Sequence, residues 1–258
     1  MKAQMHDFMD GKGPVPSHIH TKGGGWVADT ANVDKSAYIG PDAWVSGDAW
    51  VSGNARVCGN ARVYGNARVD NARVYGNAWV YGNARVSDNA RVCGNALVYD
   101  NAWVYDNAWV YDNAWVYGNA WVYGNAWVYG SARVPGDARV SGDARVYGSA
   151  RVYGSARVYG NARVYGGARV YDNARVHGDA WVYGDARVMR GMYTSTPTSI
   201  TRSDGHMFTL QSDGSIVAGC RDFTPDEAKA HWGHSKHHKH RESMAIISAF
   251  NAIQTARS

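Results

Sequence analysis

The chain has 258 residues, 45% of them hydrophobic and 19% charged, with a net charge of +5. Thirty glycines with only six prolines exclude collagen, and 17 tyrosines with 11 tryptophans are too many for an intrinsically disordered chain. No apolar run approaches the roughly 18 residues of a membrane helix, so we expect a folded protein without a membrane-spanning helix. Its net positive charge mildly favours acidic partners.

Residues 1–25 form the first segment. They contain five glycines, two prolines and three histidines, a composition typical of a flexible arm or an N-terminal cap. His18 and His20 have a side chain that binds metals, but a flexible arm rarely preorganises a metal site. We therefore expect no metal there.

Residues 26–188 carry an internal repeat of six residues. Aliphatic residues, nearly all Val, recur at this step from Val27 to Val69 and again from Val74 to Val188, which makes 28 hexads. Almost every one follows an Ala two positions earlier, and the other positions are rich in Tyr, Gly, Asp, Asn and Ser. The unit is thus Ala-X-Val plus a three-residue corner, and X points away from the face that Ala and Val share.

Such short strands cannot form a free-standing sheet, but they can pair with copies of themselves one coil above and below, about 4.8 Å away. With Ala and Val filling a narrow interior, three hexads per coil predict an all-β solenoid: a triangular prism of about nine coils, roughly 45 Å long. The hexad that ends at Val74 is one residue short and lacks its Tyr or Gly. We expect a local tightening there, with Val74 still pointing inward.

The hexads resemble those of the hexapeptide-repeat superfamily, in which an aliphatic residue is followed four positions later by a small one. The stretch Val-Tyr-Gly-Asn-Ala-Arg at 158–163 satisfies both positions. The resemblance covers residues 26–188 and implies a left-handed parallel β-helix. The superfamily is best known for acyltransferases, so it also implies a trimer that binds acyl-CoA between neighbouring prisms and uses a catalytic His as general base.

The X positions form the exterior, where Arg occurs fifteen times and Trp ten times. Residues eighteen apart stack in columns, so Arg above Trp predicts cation–π ladders. Five consecutive Trp hexads span all three faces, more contiguous aromatic surface than soluble monomers usually expose. This Trp girdle predicts a contact with a protein partner or a second copy, unless Trp only shields the strand backbone. The girdle consists of Trp103, Trp109, Trp115, Trp121 and Trp127.

Charge is unequal along the repeats. Residues 26–130 carry a net charge of −2, whereas residues 131–180 carry eight Arg against four Asp, for +4. Arg interleaved with Tyr is typical of surfaces that bind phosphates and stack on single-stranded bases, so a polyanion or nucleic acid is a candidate partner, and solvated surface is the alternative. The arginines are Arg133, Arg139, Arg145, Arg151, Arg157, Arg163, Arg169 and Arg175, and the tyrosines are Tyr147, Tyr153, Tyr159, Tyr165 and Tyr171.

Few residues of the hexads suit catalysis. The coils contain no inserted loop, and their only histidine is His177, at a corner position where a solvated side chain is typical. Cys58 and Cys93 lie on one predicted edge two coils apart, about 9.6 Å, which is too far for a disulfide. We therefore expect no catalytic residue, no cofactor and no enzymatic activity, with acyl-CoA-dependent acyltransfer kept as the alternative.

The sequence of residues 189–258 predicts a small α+β module. Two Ser-Asp-Gly turns separate three extended segments, which predicts a three-stranded meander over 198–202, 206–211 and 215–220. Thr224-Pro225-Asp226-Glu227 combines an N-cap, a Pro at N1 and a Glu at N3, so a helix is expected through Trp232, and apolar spacing predicts a second helix over 241–256. We expect the module to cover the open end of the solenoid, because terminal coils need caps.

The module also resembles the C-terminal module of hexapeptide-repeat proteins carried by bacteriophages and prophages. The likeness spans about 60 residues and rests on Thr201–Gly205, Ala218–Arg221, Glu227-Ala228 and His231-Trp232. It implies a phage setting in a bacterial host rather than a reaction. Nearby histidines are irregularly spaced, which is typical of a solvated connector and predicts no metal site; they are His231, His234, His237, His238 and His240.

The patterns together predict a phage-associated, non-enzymatic solenoid that presents rows of Arg, Trp and Tyr to a macromolecular partner or to itself. A bacterial host factor is one candidate partner. We expect self-association as a dimer or trimer, and we expect no membrane partner. The start of the chain lacks the apolar stretch of a secretory signal, and three cysteines are too few for a disulfide framework. Both observations favour the cytoplasm of the host.

Overall fold

A computed structural model of the protein describes residues 4–219, 221–234 and 239–256. Most of them form the solenoid predicted from the hexads, and a hairpin and a small α+β module lie at its two ends. The strands in chain order are β1 (Gln4–His6), β2 (Val15–Ile19), β3 (Trp26–Ala28), β4 (Asn32–Val33), β5 (Tyr38–Ile39), β6 (Trp44–Val45), β7 (Trp50–Ser52), β8 (Arg56–Val57), β9 (Arg62–Val63), β10 (Arg68–Asp70), β11 (Arg73–Val74), β12 (Trp79–Val80), β13 (Arg85–Ser87), β14 (Arg91–Val92), β15 (Leu97–Val98), β16 (Trp103–Val104), β17 (Trp109–Val110), β18 (Trp115–Val116), β19 (Trp121–Val122), β20 (Trp127–Val128), β21 (Arg133–Val134), β22 (Arg139–Val140), β23 (Arg145–Val146), β24 (Arg151–Val152), β25 (Arg157–Val158), β26 (Arg163–Val164), β27 (Arg169–Val170), β28 (Arg175–Val176), β29 (Trp181–Val182), β30 (Arg187–Val188), β31 (Met192–Tyr193), β32 (Ser199–Thr201), β33 (Met207–Leu210), β34 (Ile216–Ala218) and β35 (Arg221–Phe223).

The hexad strands stack into three parallel sheets around one core. Sheet A takes every third strand from β3 to β30, sheet B from β4 to β31 and sheet C from β5 to β29. The Ala and Val residues of the repeats are almost all fully buried, because alternation in an extended segment places both on one face. The three-sided β-solenoid of about nine coils is thereby confirmed. Its left-handed sense stays a prediction.

From Gly47 to Gly184, each corner turns through a residue in the left-handed conformation, which is Gly at most corners and Asp or Asn at others. Gly124 has a φ of +71°, and a Cβ placed on it would lie 3.0 Å from the nitrogen of Gly142 in the next coil. Asp106 occupies the equivalent position one coil earlier with a φ of +59°. Its Oδ2 accepts a hydrogen bond from the Gly124 N–H at 3.1 Å, which joins two coils.

The shortened hexad keeps both Val69 and Val74 fully buried, so the inward position predicted for Val74 is confirmed. Asp70 pairs in register with the first corner residue of the coils before and after it. Asn71 has a φ of +50°, the left-handed conformation of the second corner position. The prediction that the Tyr or Gly is missing is therefore wrong: both positions are filled, and the third corner residue is the one absent.

The N-terminal residues form an antiparallel hairpin that extends sheet A, with β2 pairing to β1 on one side and to β3 on the other. Phe8 is buried and its ring lies 6.2 Å from that of Trp44, and the His6 ring stacks on Trp26 with 4.3 Å between ring centroids. Within the described residues 4–25, this arrangement corresponds to the cap on the first coil rather than to the flexible arm.

The solenoid continues for one strand beyond the predicted limit at Val188. Strand β31 pairs with β28, and Tyr193 takes the inward position opposite Val176. Tyr193 is 6% exposed and belongs to the core. Because only four residues lie between Val188 and Tyr193, one fewer than in an intact hexad, and the aliphatic residue is replaced by an aromatic one, the hexad pattern does not extend to this strand.

The C-terminal module contains a four-stranded antiparallel sheet in the order β32, β33, β34, β35 and two helices, α1 (Pro225–Trp232) and α2 (His240–Thr255). The three strands of the predicted meander and both predicted helices are present, and Thr224 and Glu227 form the expected capping box of α1. The fourth strand was not predicted, because the sequence Arg-Asp-Phe of β35 shows no apolar alternation. Of the described helices, neither has the length and apolar character needed to cross a membrane.

Gln211 joins this module to the last coil. Its buried side-chain amide donates to the Arg187 carbonyl at 2.8 Å, and its Oε1 accepts from the Tyr193 hydroxyl at 2.9 Å and from the Met189 N–H at 3.1 Å. These bonds satisfy polar groups that the final coil would otherwise leave unpaired in the protein interior. The module thus covers the C-terminal end of the solenoid.

Candidate binding surface of the solenoid

The X side chains of successive coils stand directly above one another, because the strands pair in register. The guanidinium of Arg85 lies 4.7 Å from the ring centroid of Trp103, and that of Arg91 lies 4.5 Å from the ring of Trp109. Similar contacts recur on all three sheets, as between Arg133 and Trp115. The predicted cation–π ladders are confirmed; each contact of this kind contributes about 0.5–1 kcal/mol at an exposed site.

The five rings of the Trp girdle are distributed over the three sheets, and four of them form two stacks. Trp103 lies 5.3 Å from Trp121 on sheet B, and Trp109 lies 5.5 Å from Trp127 on sheet C, measured between ring centroids. Guanidinium groups cover the outer face of each ring in these stacks. All five girdle rings are half-buried, so it is mainly their edges that meet solvent. Contact with a partner through the girdle stays a prediction.

Beyond the girdle, Arg occupies eight successive X positions and forms a column on each sheet. Arg151 and Arg157 are exposed, and each has an Arg neighbour in both adjoining coils. Like charges about one coil spacing apart, about 4.8 Å, repel each other. The columns are Arg133, Arg151, Arg169 and Arg187 on sheet A, Arg139, Arg157 and Arg175 on sheet B, and Arg145 and Arg163 on sheet C.

The four aspartates of this region do not neutralise the arginines. Asp137, Asp143 and Asp179 each accept a hydrogen bond from an asparagine amide of the preceding coil, at 2.9 to 3.1 Å. Asp172 occupies a left-handed corner. Within the described part of the chain, none of the eight arginines takes part in an ion pair. The positive charge of residues 131–180 is therefore locally unbalanced and produces a positive potential at the surface.

The tyrosines near these arginines stack on one another at the corners. Tyr147 lies between Tyr129 and Tyr165 with centroid distances of 4.9 Å on both sides, and Tyr153 stacks on Tyr171 at 5.1 Å. Burial, followed by the neighbouring phenols, raises the pKa of Tyr147. Because both faces of Tyr147 are occupied, nucleic-acid bases cannot stack on it, and the base-stacking part of the sequence-based hypothesis fails at this position.

His177, the one histidine of the hexads, stacks on Tyr159 with 4.8 Å between centroids. Its Nε2 is buried and has no hydrogen-bond partner in the part of the chain that the structure describes. The prediction that the His177 side chain is solvated is therefore wrong for its Nε2 atom. A general base must reach the proton that it removes, and an enclosed Nε2 does not offer that access.

The two hexad cysteines have the spacing predicted for them. Both are free, and Tyr75 occupies the coil between Cys58 and Cys93 on the same corner column. Burial raises the pKa of the Cys93 thiol, and a hydrogen bond with Tyr75 opposes this shift. A half-buried thiol with a raised pKa is a poor nucleophile at neutral pH.

Histidines at the two ends contact other protein groups. The His18 Nδ1 lies 2.8 Å from a carboxylate oxygen of Asp29, and the His240 Nδ1 lies 2.7 Å from the carbonyl oxygen of Trp232. The ring of His231 packs against that of Trp232. Among the described residues, no three His, Cys, Asp or Glu side chains are arranged to hold a metal ion. His237 and His238 lie outside the described residues.

Asparagine ladders at the third corner position were missed in the sequence. The amide of Asn66 donates to Asn83 at 3.2 Å, Asn83 to Asn101 at 3.0 Å and Asn101 to Asn119 at 3.2 Å. The signal is the recurrence of Asn at one position of the hexad, which turn formation alone does not require. These ladders join successive coils and contribute to their alignment.

A cationic groove of about 530 Å³ was also missed; it lies on sheet C beside the shortened hexad. Its sequence signal was the missing corner residue, whose structural consequence depends on the coils above and below. The residues that line it are Lys22, Ser36, Tyr38, Asn54, Ala55, Arg56, Asn71, Arg73, Asn89 and Arg91.

The comparisons with known proteins agree on a β-solenoid. The family model described as YdcK Beta solenoid repeat matches residues 55–69, 70–82, 78–94, 90–106, 108–124, 138–154, 156–170 and 168–184. A crystal structure of an Arabidopsis UDP-N-acetylglucosamine acyltransferase is similar with a TM-score of 0.53 and 13% identity, over 80% of this chain and 74% of that one. At this identity the likeness shows the fold alone. No curated protein matches the chain.

Proposed function

We propose that the protein is a non-enzymatic binding solenoid whose arginine ladders, from Arg133 to Arg175, hold a polyanionic macromolecule. The observation that carries this proposal is that eight stacked arginines have no ion-pair partner in the described part of the chain. A bound polyanion relieves the repulsion between the guanidinium groups, and its own counterions are released on binding.

The expected recognition is of charge rather than of sequence. Guanidinium groups bind phosphate or sulfate oxygens in pairs of parallel hydrogen bonds. Both faces of Tyr147 and of Tyr165 are covered by neighbouring tyrosine rings, so bases cannot stack on these two side chains. The four-membered column that ends at Arg187 spans three coil steps, about 14 Å, which is long enough to contact several anionic groups of one polymer.

Two matched triple variants test the proposal by titration with a heparin fragment at low salt. Replacing Arg151, Arg157 and Arg163 with Gln removes one coil of the basic ladders, and we expect affinity to fall by at least about tenfold. The control replaces the same number of arginines, Arg62, Arg68 and Arg85, all of which lie over Trp rings in the less basic half. We expect the control to lose less than about threefold. Equal losses from the two triplets, or the lack of binding by the unaltered protein, would contradict the proposal.

Acyl-CoA-dependent acyltransfer is the second candidate, because the similar solved structure is described as an acyltransferase. The resemblance would require a histidine general base, and the Nε2 of His177 is enclosed beside Tyr159. We therefore expect acetyl-CoA neither to bind tightly nor to turn over. Calorimetric binding of acetyl-CoA that is lost in His177→Ala would favour the acyltransferase instead.

Three finer parts of the hypothesis stay predictions. They are self-association through the Trp girdle, the phage or prophage setting implied by the C-terminal resemblance, and a bacterial host factor as the partner. The basic ladders are compatible with a host polyanion, since recognition by charge does not depend on the source of the polymer.

A further inference from the structure

The cationic groove on sheet C is separate from the ladders of the proposed function and lies near the N-terminal end of the solenoid. Arg56, Arg73 and Arg91 project into it from three successive coils in register. Lys22 adds a fourth cation, and its Nζ donates to the Ser36 carbonyl at 2.6 Å. The side chains that line the groove include no carboxylate.

The groove exists because one coil lacks its third corner residue. Asn54 and Asn89 hold that position in the coils on either side, and both line the opening. Asn71 adapts to the gap, since its Oδ1 accepts a hydrogen bond from the Asn54 N–H at 2.9 Å. At corners of normal length, the third residue commonly continues an asparagine ladder, as Asn66 and Asn83 do.

Aromatic rings hold the outer two arginines of the column. The guanidinium of Arg56 lies 4.8 Å from the centroid of Tyr38, and that of Arg91 lies 4.5 Å from the centroid of Trp109. Arg73 stands between these two arginines, is exposed and has no ring above or below it. No ion pair within the described ranges includes any of the three. The column is therefore an ordered row of uncompensated positive charge.

We propose that this groove binds a linear oligophosphate, either free or as part of a nucleotide. A row of guanidinium groups about 4.8 Å apart suits an anion that carries several phosphates along one line better than it suits a single phosphate. Arg binds phosphate oxygens in bidentate fashion, and the amides of Asn54 and Asn89 supply neutral donors at the edge of the groove.

Calorimetric titration with inorganic triphosphate at low salt tests the site with three variants. Arg73→Gln removes the central charge. Arg85→Gln is its control, because Arg85 is also exposed and lies in the same half of the solenoid, but it is on sheet B, outside both the groove and the Arg133–Arg175 ladders. The third variant inserts one Asn after Asn71, which restores the corner and fills the gap while every charge is kept.

We expect Arg73→Gln and the insertion each to weaken triphosphate binding by at least about tenfold, and Arg85→Gln to change it less than about twofold. Orthophosphate should bind at least about tenfold more weakly than triphosphate. A second titration with adenosine triphosphate distinguishes the source: equal affinity indicates the free chain, and tighter binding indicates a nucleotide.

Four results would overturn the site: no binding of triphosphate by the unaltered protein, equal losses from Arg73→Gln and Arg85→Gln, unchanged binding in a folded insertion variant, or orthophosphate bound as tightly as triphosphate. Circular dichroism and heparin binding show whether the insertion variant is folded, and where it is not, the two point variants decide. Because heparin binding is assigned to the Arg133–Arg175 ladders, it should survive in Arg73→Gln, so the failures of the two proposals are distinguishable.

Discussion

The second corner residue shows how a single position controls the stacking of coils. The backbone φ at this position is positive, as at Gly124 and Asp106. The position therefore favours Gly for steric reasons, and it tolerates Asp when the Asp carboxylate accepts a hydrogen bond. The Asp106 carboxylate provides that bond by accepting from the next coil at 3.1 Å. A residue such as alanine has a Cβ that disfavours positive φ, but it has no side-chain oxygen to accept the hydrogen bond that offsets this cost.

Two substitutions of Gly124 test this account. We expect Gly124→Ala to reduce stability by about 1–2 kcal/mol, because alanine disfavours positive φ and its Cβ would approach Gly142. Gly124→Asp should cost less, since its carboxylate can accept from the Gly142 N–H as Asp106 does from Gly124. Urea denaturation of both variants measures the difference. An alanine variant as stable as the aspartate variant would contradict the account.

The predictability of single residues differs between the core and the corners. The inward positions of Ala and Val followed from alternation alone, which needs no knowledge of other coils. The occupation of both faces of Tyr147 did not, because it depends on rings eighteen residues away on either side. The groove beside Asn71 was missed for the same reason: its walls come from four successive coils.

The tyrosine ladders make the stability of the fold sensitive to alkaline pH. Burial, with contributions from adjacent phenols, raises the pKa of Tyr64, Tyr99 and Tyr111 to about 12. The unfolded chain loses these protons near pH 10, whereas the folded chain keeps them until about pH 12. The folded state therefore binds more protons in this window, and the stability contributed by the neutral phenols is lost as pH rises through it.

Alkaline titration followed by phenolate absorbance should show this behaviour directly. We expect a group of tyrosines in the native protein to ionise near pH 12, and Tyr99→Phe to remove one tyrosine from that group. Unfolding in urea should become easier between pH 10 and 12. Native and urea-unfolded protein that titrate identically near pH 10 would contradict the burial of the ladders.

Whole elements were predictable where the hexad pattern was intact. The short strand β31 and the fourth strand β35 were missed, because Tyr193 replaces an aliphatic residue after a shortened corner and Arg221-Asp222-Phe223 has no alternation. Pairing with neighbours, rather than intrinsic preference, makes both segments strands.

At the scale of the whole molecule, the three sides of the solenoid are the surfaces left open for contact with partners, because a hairpin covers one end and the C-terminal module covers the other.

We expect self-association at micromolar concentration through the Trp girdle, and a shift to monomer when Trp109 and Trp115 are both changed to Arg. Trp181→Arg is the control, since Trp181 is 42% exposed but lies outside the girdle. Light scattering that reports a monomer for the unaltered protein would contradict this prediction.

The charge distribution supports the central claim, that the arginine ladders of residues 131–180 bind polyanions without sequence recognition. The measurement that tests it most directly is the salt dependence of affinity for mixed-sequence duplex DNA. We expect the logarithm of affinity to fall linearly with the logarithm of salt, with a slope smaller in magnitude by about 2–3 after Arg151, Arg157 and Arg163 are replaced with Gln. A slope near zero, or the same slope for this triple variant and the unaltered protein, would contradict the claim.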